Sequence, residues 1–293
     1  MAESARHKTS RPVKETPQPA SFEARFVQAG GVKLHYLDYG TQGKPIMLCV
    51  HGSAAHAHWF DFVAPGFTSD YQVLSIDLRG HGDSEWVRPP NYYYQDYAAD
   101  LNAAAEALDL RDFVLIGHSM GGAVSLTYAA MYPGRSKSLT VIDSTVNLSA
   151  ERINQMREVG SRPGRDFASK EELVSRYKLR PGHSLATPEI VRYIASHSAR
   201  EFEGGAWRYK FDREVYATRE VVDCRPSWNK IKTPALLMKG DHSDRLTPDV
   251  VADVKERCPQ VEFVEIAGSD HHVPLDSPQL FIQAMKAFLA RNP

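Results

Sequence analysis

Short, unbroken apolar runs, each closed by a glycine or an acidic or apolar strand end and separated by stretches with helical spacing, constrain this chain more than any other feature. The runs are IMLCV from Ile46, YQVLSID ending at Asp77, FVLIG ending at Gly117, SLTVID ending at Asp143, ALLMKG ending at Gly240 and VEFVEI ending at Ile266. A strand that is apolar throughout has to be covered on both faces, which is the condition of parallel strands flanked by helices. Residues 97–108, 121–132, 248–256 and 278–289 supply helical patterns, and the last two open on a proline suited to a first turn. Ahead of them, FEARFVQ and VKLHYLDYG alternate apolar and polar residues around Gly30-Gly31, as a half-buried antiparallel hairpin does. The expected fold class is α/β, with a mostly parallel central sheet of about eight strands flanked by helices.

The rhythm breaks between residues 146 and 228, where EELVSRYKL and PEIVRYIASHS are helical but no convincing buried strand occurs. This interval reads as an inserted helical cap, which leaves 22–145 and 229–293 as the core. Its stretch GGAWRYKFD offers Trp207 either as a wall of a ligand cavity or, with Phe211, as packing between cap and body. Residues 1–21 are polar and carry Pro12, Pro17 and Pro19, so they read as a flexible leader that cannot bury enough surface to order itself.

Charge and cysteine content narrow the function classes. The 293 residues hold 35 Lys plus Arg against 36 Asp plus Glu, and a net charge of -1 supplies no broad field for nucleic acid or an anionic membrane. Cys49, Cys224 and Cys258 are an odd set without CxxC spacing, so neither a disulfide framework nor a zinc cluster is expected. No apolar run approaches the roughly 20 residues that cross a bilayer, and the N-terminus lacks the apolar core of a secretory signal. The expectation is a cytoplasmic protein, a monomer or homodimer, acting on a small molecule.

Chemistry concentrates at GHSMG, residues 117–121, a GxSxG motif directly after the strand FVLIG and directly before a helix. A turn this tight forces Ser119 into a strained backbone conformation and needs small neighbours. The serine also stands at a helix N-terminus, where free amides and the helix dipole favour negative charge on a nearby oxygen. The Met120 amide is one expected oxyanion donor, and the Ser53 amide, in the turn HGSAA after IMLCV, is the other, with Ala54 next.

A serine hydroxyl needs a base, and the base needs an orienting acid. The loop SDHHVPLDSP supplies the base as His271 or His272, because the other histidines fall in the leader, the cap or charged loops, or beside the serine but facing away. For the acid, the loop GDHSDRLTP offers Asp241 and Asp244, and Asp143 follows SLTVID. Asp244 is preferred, since it stands far enough beyond the strand to reach inward while Asp241 is placed like a turn residue.

These pieces together resemble the α/β-hydrolase superfamily, in its cap-bearing branch of esterases, lactonases and carbon–carbon bond hydrolases. The matching segments occur in order: HG at His51-Gly52, DLRGHGDS at residues 77–84, GHSMGG at 117–122, then GDHSD and DHHVPLDSP. The resemblance favours His271, five residues before Asp276, over His272. It implies that Asp77 and Arg79 hold a structural loop and that His51, Trp59 and Phe60 border the substrate pocket. Serine at position 119 argues against the branch members whose nucleophile is aspartate. The implied activity is hydrolysis of a carboxylic ester by Ser119, His271 and Asp244, with no metal and no organic cofactor. A lactone or carbon–carbon substrate, or a receptor that keeps only the pocket, are the competing expectations.

Overall fold

The computed structural model describes residues 16–144 and 148–293. Strands β1 (Glu23–Ala29) and β2 (Val32–Asp38) pair antiparallel across Gly30-Gly31. Both glycines have positive φ, 56° and 89°, as a two-residue hairpin turn requires. After them come β3 (Ile46–Val50), β4 (Gln72–Ile76), helix α1 (Tyr94–Ala107), β5 (Phe113–His118), α2 (Met120–Met131) and β6 (Ser136–Ile142). The sheet leaves off at the end of β6 and resumes only at Ala235.

Between them lie α3 (Ala150–Ser161), α4 (Lys170–Ser175), α5 (Pro188–His197), β7 (Ala199–Glu201), β8 (Trp207–Tyr209), α6 (Glu214–Ala217) and α7 (Arg225–Trp228). The chain closes with β9 (Ala235–Gly240), α8 (Pro248–Arg257), β10 (Val261–Ile266), α9 (Val273–Asp276) and α10 (Pro278–Arg291).

Eight strands form one sheet in the order β1-β2-β4-β3-β5-β6-β9-β10, and the last six in that order run parallel. The apolar runs divide cleanly between its two faces. Leu48 and Val50 of β3, Leu115 of β5 and Leu237 of β9 join one buried cluster, while Met47, Cys49, Ile116, Leu236 and Met238 join the other. A period of two with both faces buried is what makes each run read as apolar throughout.

Two expectations change. The interval between β6 and β9 is not wholly helical: β7 and β8 pair antiparallel, and Phe167 bridges Trp207. Three-residue strands in a polar stretch leave no periodicity to read. The expected leader extends too far, because the Ala20 amide donates to the Asp61 carbonyl at 2.8 Å and the Thr16 hydroxyl meets that of Thr187 at 2.9 Å. The rest of that leader, residues 1–15, lies outside the described residues.

The chain runs from β3 outward to β4, then returns to place β5 on the other side of β3. In an open parallel sheet, that reversal opens a crevice at the carboxyl ends of the two strands. Gly121, at the start of α2, lies against this point: a Cβ there would stand 2.3 Å from the His51 carbonyl oxygen and 2.4 Å from that of Val50. Backbone cannot yield as a side-chain tip can, so Gly121→Ala is expected to destabilise the fold by about 3 kcal/mol. Thermal unfolding checks this, and an unchanged melting temperature would contradict the close approach.

Candidate active site

Ser119 joins β5 to α2 with φ 53° and ψ -120°, outside the regions a side chain normally allows. The strain is held from several sides. Its amide donates to the Ile142 carbonyl at 2.8 Å, and its carbonyl accepts from Gly122 at 2.9 Å. A Cβ on Gly117 would meet the Gly121 carbonyl at 2.3 Å, so the turn closes only with glycine at both flanks. The Oγ projects to the His271 Nε2 at 2.9 Å.

His271 Nδ1 lies 2.6 Å from Asp143 Oδ2. The carboxylate can only accept there, so the imidazole carries its proton on Nδ1 and offers a lone pair at Nε2 to the serine hydroxyl. Two further histidines fix this loop. His118 Nε2–H donates to the His271 carbonyl at 2.8 Å, and His272 Nε2–H donates to the Pro181 carbonyl at 2.9 Å. Asp241 accepts the amides of Gly268 and Ser269, both at 3.0 Å, and so ties the loop to the end of β9.

The expected acid is not the one the fold delivers. The Asp244 side chain is 99% exposed, and its nearest cation is Arg245 at 3.8 Å. Asp143 instead is fully buried directly after β6, the strand next to β5, with φ 44°. The loop after β9 contributes the Ser243 hydroxyl, which donates to Asp143 Oδ2 at 2.7 Å. β9 lies one strand farther from Ser119 than β6 does, so the shorter reach from β6 wins.

Burial pushes the Asp143 carboxyl up to about 6, against the Ser243 hydrogen bond. Burial likewise draws the His271 imidazole well below its ordinary value, and His272, Arg245 and Arg152 reinforce it. The imidazole is therefore neutral at pH 7.

Met120 is the first residue of α2, so its amide has no acceptor within the helix. Ser53 and Met120 line the same cavity as Ser119 and His271, and a Cβ on Gly52 would stand 3.1 Å from that of Ser119. The cavity is about 470 Å³ and is roofed from the insertion by Leu148, Met156, Val159 and Leu179.

The four residues expected to border it do not. His51 is wholly buried, with Nδ1 on the Gly52 carbonyl at 2.6 Å and Nε2 accepting the Leu78 amide at 3.0 Å. Trp59 and Phe60 sit in a buried 3-10 turn, Ala57–Phe60, whose first amide is bound by Asp77 at 2.6 Å, so both rings point into the core. Trp207 packs on Phe167, Leu173 and Ala199 within the insertion. Asp77 also accepts from His35 at 2.7 Å and Asp83 at 2.9 Å, and Arg79 forks onto Asp100, which is the loop-holding role expected of both.

The rings of His118, His271 and His272 approach closely enough to share an ion. Both His271 nitrogens are already engaged by Ser119 and Asp143, and a metal would have to break that relay.

The profile of the family described as alpha/beta hydrolase fold matches residues 45–278. The chain belongs to the α/β-hydrolase family. It is 26% identical over 275 residues to 2-(acetamidomethylene)succinate hydrolase of Mesorhizobium japonicum, covering 92% of this chain and 95% of that protein. It is also 26% identical to N-formylmaleamate deformylase of Pseudomonas putida, covering 90% and 95%, and to an esterase of Mycobacterium tuberculosis, covering 91% and 89%. The crystal structure of E-2-(acetamidomethylene)succinate hydrolase shares the fold of this α/β hydrolase with a TM-score of 0.81 at 24% identity, over 92% of this chain and 100% of that one.

No helix among the described residues is long and apolar enough to cross a membrane.

A fluorophosphonate probe reads the activation of Ser119 without presupposing a substrate. Asp143→Asn is expected to slow labelling of Ser119 on the order of 10³–10⁴-fold, because the base loses the partner that sets its tautomer. Asp244→Asn should label at close to the parental rate, and the reverse ranking would restore Asp244 as the acid.

Proposed function

We propose that this α/β hydrolase cleaves carboxylic esters through an acyl-enzyme on Ser119, with His271 as the base and Asp143 as its orienting acid. The observation that carries the reading is the continuous relay from Ser119 Oγ to His271 Nε2 and from His271 Nδ1 to Asp143, at the foot of a closed-over cavity.

The steps follow from the geometry. His271 takes the proton of Ser119 as Oγ bonds to the acyl carbon, and the carbonyl oxygen becomes an oxyanion facing the amides of Met120 and Ser53. His271 then gives that proton to the departing alkoxide, and the C–O bond breaks. Water enters, loses a proton to His271, and attacks the acyl carbon; His271 returns that proton to Ser119 Oγ as the Oγ–acyl bond breaks, and the acid leaves. Such an oxyanion contact is worth about 10²–10³ in rate per donor. The relatives named esterase, deformylase and hydrolase support hydrolysis of an acyl carbonyl in general. A receptor that only binds has no use for a buried acid held on the back of the base, and this disfavours that reading.

Ser119→Ala is expected to cut turnover of a short-chain nitrophenyl ester by about 10³-fold or more. Parental activity in that variant would end the proposal. The pH profile supplies a second check. His271 has its proton affinity held well below the usual 6.5 and Asp143 is pushed up to about 6, so kcat/KM should stay level through neutral pH and fall only on the acid side, as the two take up protons. An acid limb centred above pH 6.5 would contradict the buried, neutral base.

A further inference from the structure

The cavity over Ser119 is lined by five cations, Arg152, Lys178, Arg180, Arg219 and Arg245, and by no acidic side chain among the described residues. Five of the twelve arginines of the insertion meet a carboxylate within 4.0 Å among the described residues. Arg162 pairs with Glu158, Arg176 with Glu172 at 3.6 Å and Arg208 with Asp166. Arg152, Lys178, Arg180 and Arg219 have no carboxylate within 4.0 Å among the described residues, whereas Arg245 reaches Asp244 at 3.8 Å.

Arg219 is the telling member. It is only 4% exposed, yet its guanidinium meets the Met120 sulfur at 3.3 Å, the Tyr94 hydroxyl, and the face of the Tyr94 ring at 4.5 Å, all of them neutral. Its Nε–H is buried with no partner among the described residues. A buried charge is normally paired, because an uncompensated one carries a large desolvation penalty. This one sits beside Met120, the residue whose amide faces the reacting carbonyl.

The positive field extends beyond the first cavity. A second cavity of about 340 Å³ shares Val159, Lys178, Arg180 and Tyr216 with it. There burial first, then the charges of Arg180 and Arg162, draw the Arg213 guanidinium below its ordinary proton affinity.

We infer that the substrate of this site carries a carboxylate, which Arg219 receives inside the cavity while Arg152, Lys178 and Arg180 attract and hold it at the mouth. A guanidinium fork matches a carboxylate in two parallel hydrogen bonds, and an anion placed there supplies the counter-charge that the protein omits. The inference rests on the ester-hydrolase reading for the bond that breaks, but not for the binding itself.

Binding to Ser119→Ala, followed by calorimetry, separates the two. Two pairs of esters differ only in a terminal methyl against a carboxylate: ethyl valerate against monoethyl glutarate, and butyl acetate against 4-acetoxybutyrate. At low salt, the charged member of at least one pair should bind about tenfold or more tightly than its neutral partner, and the preference should shrink at high salt. Adding Arg219→Met should remove most of that preference. Should that variant fail to fold, Arg152→Gln with Arg180→Gln, both on exposed side chains, should weaken the preference severalfold.

Equal binding within both pairs overturns the inference, as does a preference that survives both sets of substitutions. If the preference holds but the parental enzyme cleaves none of the four esters, the carboxylate site stands and the ester reading falls. If the esters are cleaved without preference for charge, the ester reading stands and the carboxylate site falls.

Discussion

The close seating of α2 on the end of β3 is the constraint from which the site follows. Gly121 lies so near the carbonyls of Val50 and His51 that the helix can begin only there, directly beneath the crevice where the sheet order reverses. With the helix start pinned and β5 pinned by its neighbours, the single residue between them has little freedom, and Ser119 takes the positive φ that results. The strain is thus imposed by packing of backbone on backbone, not by the serine. It lifts Oγ out of the sheet and leaves the first amide of α2 without an acceptor on the same side.

The other two members of the relay are held by carboxylates that do no chemistry. Asp241 anchors the loop of His271 to β9 through two amides, and Asp276 accepts the Asp270 amide at 2.9 Å while binding the insertion through the amides of Leu185 and Ala186. His272 adds a third tie, to Pro181. The base and the roof of the cavity therefore share their supports, so a displacement of the insertion is felt at the imidazole. Asp276 and His272 are buried and hydrogen-bonded, which makes their ties stiff.

The strands and the strained serine turn were legible because they obey local rules: a period of two with both faces covered, and a serine between glycines at a strand-to-helix turn. The carboxylate that meets His271 was not, because two loops near the site each offer an aspartate and sequence spacing does not state strand order. Asp143 and Asp244 follow β6 and β9, and only the sheet order β5-β6-β9 shows which stands next to the serine. Trp59 and Phe60 misled for a related reason. Their aromatic character fits a pocket wall equally well, and the Asp77 hydrogen bond that turns them into the core spans 20 positions in the chain. The cation cluster was hidden by the balanced total charge of -1, since what matters is which arginines lack a nearby carboxylate.

Two of the cations that line the cavity, Arg245 and Arg152, add to what burial does to His271. Burial first, then His272, Arg245 and Arg152, lower the proton affinity of His271, which keeps the imidazole neutral but also disfavours the imidazolium that the proposed attack by Ser119 would form. A carboxylate seated among Arg219, Arg152 and Arg180 offsets the field at the moment the imidazolium forms, so binding of the charged substrate and activation of the nucleophile reinforce each other. A neutral ester of the same shape fills the cavity and leaves the field in place. Discrimination between the two then falls on kcat as well as on binding, because the compensating charge acts most strongly in the transition state.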